Sequence, residues 1–262
     1  MSTTIVILKP NKVLYNTSKV FRSIILLNML GKLVKKVIGD RLQFYVISNN
    51  FIHQSQLGGL KFKSTSDTSI ALTYFIHMEW VRNLSTSTLT FDISQFFPLL
   101  NHCLLTLILG KAGFDSKVVK FFSNYLVSRK TQYFWNNFLS SFFNVDIGVR
   151  QGSALSPIFL ALYLSPLLHI LENRLKNLKI PVSILFFVDD GLLVAQSKSL
   201  SLSNSLLFCS YNVVSNLFLK FGLIVKHSKT KVFHFSRLHG FFNPLPLNLS
   251  PIGGPILYPK ES

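Results

Sequence analysis

Ile184-Leu185-Phe186-Phe187-Val188-Asp189-Asp190-Gly191-Leu192-Leu193-Val194 is the stretch on which the fold turns. Both flanks are β-branched, aliphatic and aromatic, so each reads as a strand. Asp190-Gly191 is a strong turn signal between them, which predicts a hairpin with two carboxylates at its tip. The chain has only ten acidic residues. Two of them side by side at the end of an apolar hairpin demand a cation or a basic partner. Thr88-Leu89-Thr90-Phe91-Asp92-Ile93 puts a third aspartate in a similar apolar strand. One acid on a strand, followed by two at a hairpin, suits a two-metal site for phosphoryl transfer. The plainer alternative is three ordinary turn or cap aspartates.

The 262 residues suffice for one large domain or two small ones. Lys and Arg number 27 against 10 Asp and Glu, a net charge of +17. Such a balance points to a polyanion, nucleic acid before an anionic membrane surface. Cys103 and Cys209 are two isolated thiols in apolar helical patterns, which form neither a zinc set nor a disulfide framework and read as core. The longest apolar run, Ile158 to Leu171, is shorter than the roughly 20 residues that span a bilayer. It also contains Ser165, Pro166 and His169, so it is read as a buried helix without stable membrane insertion. With no secretory signal, an intracellular site, nucleus or cytoplasm, is expected. Gly-x-Ser-x-Gly, P-loop and His-Glu-x-x-His patterns are missing, which removes the common hydrolase and NTPase classes.

Along the chain, Ile5 to Leu8 predicts a short strand and Ile24 to Leu42 a helix with a basic face at Lys32, Lys35 and Lys36. Gly58 to Thr65 is a loop rich in glycine and lysine, and Asp67 is the expected cap of a helix to about Asn83. Asn101 and Asp115 are further cap candidates. Arg129 to Phe143 has the order of a hairpin turning at Asn136-Asn137. Ser156-Pro157 opens a helix, Leu200 to Phe221 forms another with Gly222 as its stop, and the tail from Leu238 is expected to hold little regular structure.

Taken in order, these segments resemble the reverse transcriptase domain of non-LTR (LINE-type) retroelements, over nearly the whole chain. Phe91-Asp92-Ile93-Ser94-Gln95-Phe96-Phe97 resembles the first palm motif and Gly148-Val149-Arg150-Gln151-Gly152-Ser153-Ala154-Leu155-Ser156-Pro157 the second. Phe187-Val188-Asp189-Asp190 resembles the third. Gly222-Leu223 followed by Ser228-Lys229-Thr230-Lys231 resembles the fourth. Leu26 to Lys32 and the Gly58 to Thr65 loop resemble the fingers motifs.

The resemblance implies an α+β fold, a right-hand polymerase with an antiparallel palm sheet and helices packed on one face. The expected regions are a fingers-like 1–85, a palm at 86–240 with a fingers insertion near 118–147, and an irregular tail at 241–262. It implies a domain that stops before the primer grip and thumb. The implied reaction is RNA-directed DNA synthesis, in which a primer 3′ hydroxyl attacks a dNTP on an RNA template. Two Mg²⁺ ions, with Mn²⁺ as an alternative, about 3.5–4 Å apart would clamp the attacking and leaving oxygens. Their ligands would be Asp92, the Ile93 backbone, Asp189 and Asp190. Lys229 would protonate or neutralise the leaving pyrophosphate. Phe97 would exclude a ribose 2′-hydroxyl, and Gln151, Gly152, Lys63 and Arg22 would contact the nucleotide. Arg129, Lys130 and Arg150 would bind the nucleic-acid backbone. Departures from the family pattern lie in the fingers, Ser23 and Leu60, and in the second palm motif, Arg150 and Ala154. The alternative is a catalytically inactive retroelement fragment that keeps only nucleic-acid binding.

Overall fold

The computed structural model describes residues 2–10, 14, 16–17, 20–26, 28–150, 152–236 and 245–259. Their elements are β1 (Ser2–Leu8), β2 (Phe21–Leu26), α1 (Met29–Ser48), α2 (Thr65–Val81), β3 (Ser85–Ser94), α3 (Phe96–Leu99), α4 (His102–Lys111) and α5 (Ser116–Leu126). After these come β4 (Arg129–Trp135), β5 (Phe138–Leu139), β6 (Phe143–Val145), α6 (Ser156–Asn177), β7 (Val182–Phe187), β8 (Asp190–Ser197) and α7 (Leu200–Lys220). β9 (Ile224–Val225), β10 (Lys231–Phe235), β11 (Leu247–Asn248) and β12 (Ile256–Leu257) complete the set. The chain divides into two compact units, Met1–Phe51 with Phe96–Tyr163, and Ile52–Gln95 with Leu164–Ser262.

The first unit holds a sheet in the order β2-β1-β4-β5, with β6 also on β4. Residues 21–26, part of which the sequence predicts as helix, pair antiparallel with β1, Ile24 opposite Ile5. Their β-branched pair suits a strand, and the helix waits for Asn28, whose Oδ1 accepts from Leu30 N at 3.0 Å. Asn136 and Asn137 connect β4 to β5 at φ 45° and 63°, the two left-handed positions of a type I′ turn, as their pairing in sequence implied. Asn101 and Asp115 cap α4 and α5 as expected. For α2 the cap is Ser64. Its hydroxyl accepts from Asp67 N while the Asp67 carboxylate accepts from Ser64 N, so Asp67 closes a capping box from inside the helix.

The second unit is built on the antiparallel sheet β10-β3-β8-β7, with β9 on the end of β3. Both faces are covered, not one. Leu72 and Phe75 of α2 pack on Leu185, Leu192 and Val194. On the other face Phe91 meets Phe186 at 5.6 Å and Tyr211 of α7 at 5.8 Å, and Phe186 meets Phe218 at 5.9 Å. Burial on both faces explains why the hairpin is continuously apolar instead of alternating. The tail carries one short ladder, Leu247–Asn248 against Ile256–Leu257.

α6 is long and apolar enough to cross a membrane, so length gives no argument against it. Packing does: Phe159, Leu160, Leu164, Leu167 and Leu171 are fully buried among protein. Cys103 and Cys209 are exposed, contrary to expectation. His102, Leu105 and Leu109 of α4, and Leu207, Tyr211 and Val214 of α7, take the inward positions and leave each thiol on the outer face.

Gly191 stands opposite Phe91 in the β3–β8 ladder, and a Cβ there would overlap the Phe91 ring. Gly191→Ala is therefore expected to destabilise the protein by about 1–3 kcal/mol through overpacking. Chemical denaturation should show a lower midpoint at unchanged slope.

Candidate active site

Three carboxylates converge in the second unit. β3 and β8 are antiparallel with Asp92 directly opposite Asp190, so both side chains leave the sheet on the face of Leu192 and Val194. Like charges opposed across a ladder repel. Asp189 sits in the two-residue connection between β7 and β8, since Phe187 pairs with Asp190. The hairpin therefore turns at Val188-Asp189, immediately before the predicted Asp190-Gly191. Gly191 serves the close approach of Phe91 instead. The Ile93 N–H donates to the Asp189 carbonyl at 3.1 Å, which ties the turn to β3.

Burial pushes the Asp189 carboxyl above the usual carboxylate range, and Asp190 and Asp92 add to this, offset by its own backbone hydrogen bond and by Lys229. Asp190 is raised by burial and by Asp92 opposite, with Lys229 acting against. It is the most solvent-open of the pair, so screening weakens its share. The counter-cation is Lys229, whose Nζ donates to Asp92 Oδ2 at 2.6 Å. Lys229 rides on a 3₁₀ turn, His227–Lys229. That turn is anchored by the buried Tyr211 hydroxyl, 2.7 Å from His227 Nδ1 and 3.1 Å from Thr230 Oγ1. The Lys226 N–H donates to the Asp92 carbonyl at 2.8 Å. Three oxygen-donor side chains with one partly exposed lysine among them leave excess negative charge. That donor set fits a hard divalent cation such as Mg²⁺ better than Zn²⁺.

Gln56 is the functional residue that sequence reasoning missed. Val188 has φ 61°, a costly conformation for a β-branched residue, at a position where a type II′ turn normally has glycine. The Gln56 side chain holds it there. Its Oε1 accepts from Val188 N at 3.1 Å and from Gly58 N at 3.1 Å, and its Nε2 donates to Val188 O at 3.4 Å. Gln56 is 1% exposed. Leu57 N donates to Phe186 O and Phe186 N to Ser55 O, so residues 55–57 run as a parallel bridge beside β7. A Cβ on Gly58 would stand 2.6 Å from Val188 N, which explains a glycine there. A buried glutamine in a polar loop carries no pattern, so nothing in the sequence marked it.

Lys63 is exposed in the same unit, before the cap of α2. The other expected contacts belong to the first unit. Arg22 is exposed on β2, Lys130 exposed on β4, Phe97 half-buried on α3, and Arg150 half-buried. Gly152 adopts φ 99° with open space around it, so backbone conformation and not crowding requires glycine. Gln151 lies outside the described residues. Arg129 is a correction. It is 6% exposed, and its guanidinium donates to the carbonyls of Leu126 at 2.9 Å, Ile147 at 3.1 Å and Gly148 at 2.6 Å. It satisfies the orphan carbonyl end of α5 and a loop, so its Nε and Nη2 are committed within the protein. Lys35 stands over the Tyr125 ring at 5.2 Å. Burial and then Arg150 hold its ammonium below the usual range.

Two predictions follow from this geometry. Carboxyls raised in the folded state stabilise it fully below the unfolded carboxylate value, about 3.9, and lose that contribution as pH rises through the raised values. Metal-free protein is thus expected to be destabilised by the cluster at neutral pH. Asp190→Asn should stabilise it there by about 0.2–1 kcal/mol, with the gain shrinking in acid, read by thermal melts in chelator. Gln56→Ala leaves Val188 N–H and C=O without partners and should cost about 1–3 kcal/mol. Hydrogen exchange at Val188 and Asp189 would detect the loosened turn.

The sequence profile of a known family, described as reverse transcriptase (RNA-dependent DNA polymerase), matches residues 7–252. Solved telomerase structures are similar in fold. That of Candida tropicalis in complex with a fragment of telomeric RNA aligns at TM-score 0.64 and 15% identity, over 90% of this chain and 41% of that one. Candida albicans telomerase with such a fragment aligns at 0.61 and 15%, over 94% and 44%. Apo telomerase of C. tropicalis gives 0.64 and 14%, over 95% and 46%. The chain thus spans less than half the length of these proteins, and at such identity the likeness is one of fold: palm and fingers. With the family profile running through nearly every element described, the chain belongs to the reverse transcriptase (RNA-dependent DNA polymerase) family.

Proposed function

We propose that this chain forms the palm and fingers of an RNA-directed DNA polymerase and extends a DNA primer on an RNA template with dNTPs. The observation that carries the proposal is the opposition of Asp92 and Asp190 across the β3–β8 ladder, with Asp189 in the strained turn beside them. Asp92, Asp189 and Asp190, with the Ile93 backbone, would hold Mg²⁺, which supplies Lewis-acid stabilisation of the phosphoryl oxygens. Lys229 neutralises charge on the leaving pyrophosphate. Phe97 packs against the sugar, and Gly152, Gln151, Lys63 and Arg22 contact the nucleotide. Lys130 and Arg150 follow the nucleic-acid backbone, with salt-sensitive, sequence-independent affinity.

We assign the unit containing β3, β7 and β8 to the palm and the other to the fingers. In this assignment residues 52–85 go with the palm, because the Gln56 clamp and α2 both pack on the hairpin. The finer assignment, to non-LTR elements, rests on the wording and order of the four palm motifs. A protein acting there would sit with its nucleic acid, in nucleus or cytoplasm.

Primer extension on an RNA template with Mg²⁺ tests the reading. The parent should extend the primer, and Asp189→Ala with Asp190→Ala should lower the rate at least about a hundredfold, about 2.7 kcal/mol. Both should bind template with the same salt slope. No extension by either, with template binding retained, would instead identify a catalytically inactive nucleic-acid-binding fragment.

A further inference from the structure

A second cluster of metal-ligating side chains lies apart from the aspartates. α6 presents Ser165, His169 and Glu172 at i, i+4 and i+7, one stripe of a helix. His53 docks on that stripe. Its backbone N–H donates to Ser165 Oγ at 3.0 Å, and its Nε2 stands 3.1 Å from Glu172 Oε2. Its ring meets the His169 ring at 4.4 Å, nearly edge-on. One donor atom from each of His53, His169 and Glu172 lies within 4.8 Å of the other two.

We propose that His53, His169 and Glu172 form a binding site for a borderline-soft divalent cation of the zinc class. Ligands about 2.0–2.1 Å from a tetrahedral ion stand roughly 3.3 Å from one another. The His53–Glu172 edge is already there. Only His169 has to close, and it is exposed on the helix and therefore has rotamer freedom. Two imidazoles with one carboxylate select zinc-like ions over Mg²⁺, which takes oxygen donors and keeps its waters.

The surroundings are consistent with three protein ligands and one open position. A cavity of about 520 Å³ adjoins the cluster, lined by His53 and Glu172 together with Phe75, Leu168 and Ile184. Water or an exogenous donor can reach the ion from it. Lys176 holds the other Glu172 oxygen at 3.0 Å and competes with the cation for that carboxylate. His53 Nδ1 accepts from Ser55 N at 3.1 Å, so the ring proton is on Nε2 in the metal-free state. On binding, that proton moves to Nδ1 and the Ser55 hydrogen bond is given up. The ion would staple the segment that leads into the Gln56 clamp onto α6.

The site is tested on the whole chain in excess Mg²⁺, which occupies the oxygen-donor aspartates. Zn²⁺ binding is measured by equilibrium dialysis, with Co²⁺ as the absorbing probe of tetrahedral coordination. One tight ion per chain is expected. His169→Ala, at an exposed position that spares the fold, should weaken it at least tenfold. Asp189→Asn with Asp190→Asn should leave it unchanged, which separates this site from the polymerase reading. Undiminished binding in His169→Ala, loss of binding in the double aspartate variant, or no binding by the parent at micromolar Zn²⁺ would each overturn the proposal.

Discussion

Asp92 and Asp190 face each other across two strands that the rest of the second unit holds in register. Like charges directly opposite across a ladder are destabilising, and no local preference of the chain would bring Asp92 and Asp190 together. The opposition is imposed by packing. Phe91 fills the space above Gly191, one step inward from the acid pair; Phe186 and Tyr211 pack on that ring, and Phe218 packs on Phe186. A one-residue slip of the ladder would move Phe91 away from the glycine and send the apolar set to the wrong face. Hydrophobic register therefore sets the electrostatic conflict, and a cation at that end of the ladder would relieve it.

The turn between the acids shows the same division of labour. Val188 occupies a left-handed conformation that costs on the order of 1–3 kcal/mol, and the Gln56 side chain holds it there through the Val188 N–H and C=O while also accepting from Gly58 N. On the far side of the site, Tyr211 supports the short turn that carries Lys229. Tyr211 thus serves both the aromatic packing under β3 and the cation above Asp92. Truncating it would disturb both sides at once, so its effect should not add simply to that of a neighbour.

What the sequence made legible was whatever its own neighbours determine. The β7–β8 hairpin, the Asn136-Asn137 turn, and the caps at Asn101 and Asp115 could be read because apolar runs and turn chemistry are local. The α1 boundary was misplaced because residues 24–26 satisfy both an apolar helix pattern and a β-branched strand, and only pairing with β1 decides. The hairpin turn was misplaced because Asp-Gly is the better turn signal, whereas Phe91, distant in sequence, claims the glycine. The three aspartates were legible as a group, while Gln56 was not, since its partner is 132 residues distant. Arg129 and Lys130 are adjacent in sequence and cannot be told apart there. On β4 successive side chains alternate between faces, so one is buried under carbonyls and the other is left to solvent.

Charge bookkeeping over the chain links these scales. Of ten acidic residues, Asp67 closes a capping box and Asp115 caps a helix, Glu79 pairs with Arg82, and Glu172 bridges His53 and Lys176. Three of the remainder are gathered at one end of one ladder. Most of the 27 lysines and arginines consequently have no acidic partner to neutralise them. A surface of that sign draws polyanions from a distance, with a reach set by a Debye length of about 8 Å at physiological salt. The acid cluster acts only within a few ångströms, where its sign favours cations. The two fields do not cancel because they differ in range. Long-range attraction for a phosphate backbone and short-range affinity for the ions that activate a phosphate can thus coexist in one basic protein, provided that the acids are kept few and close together.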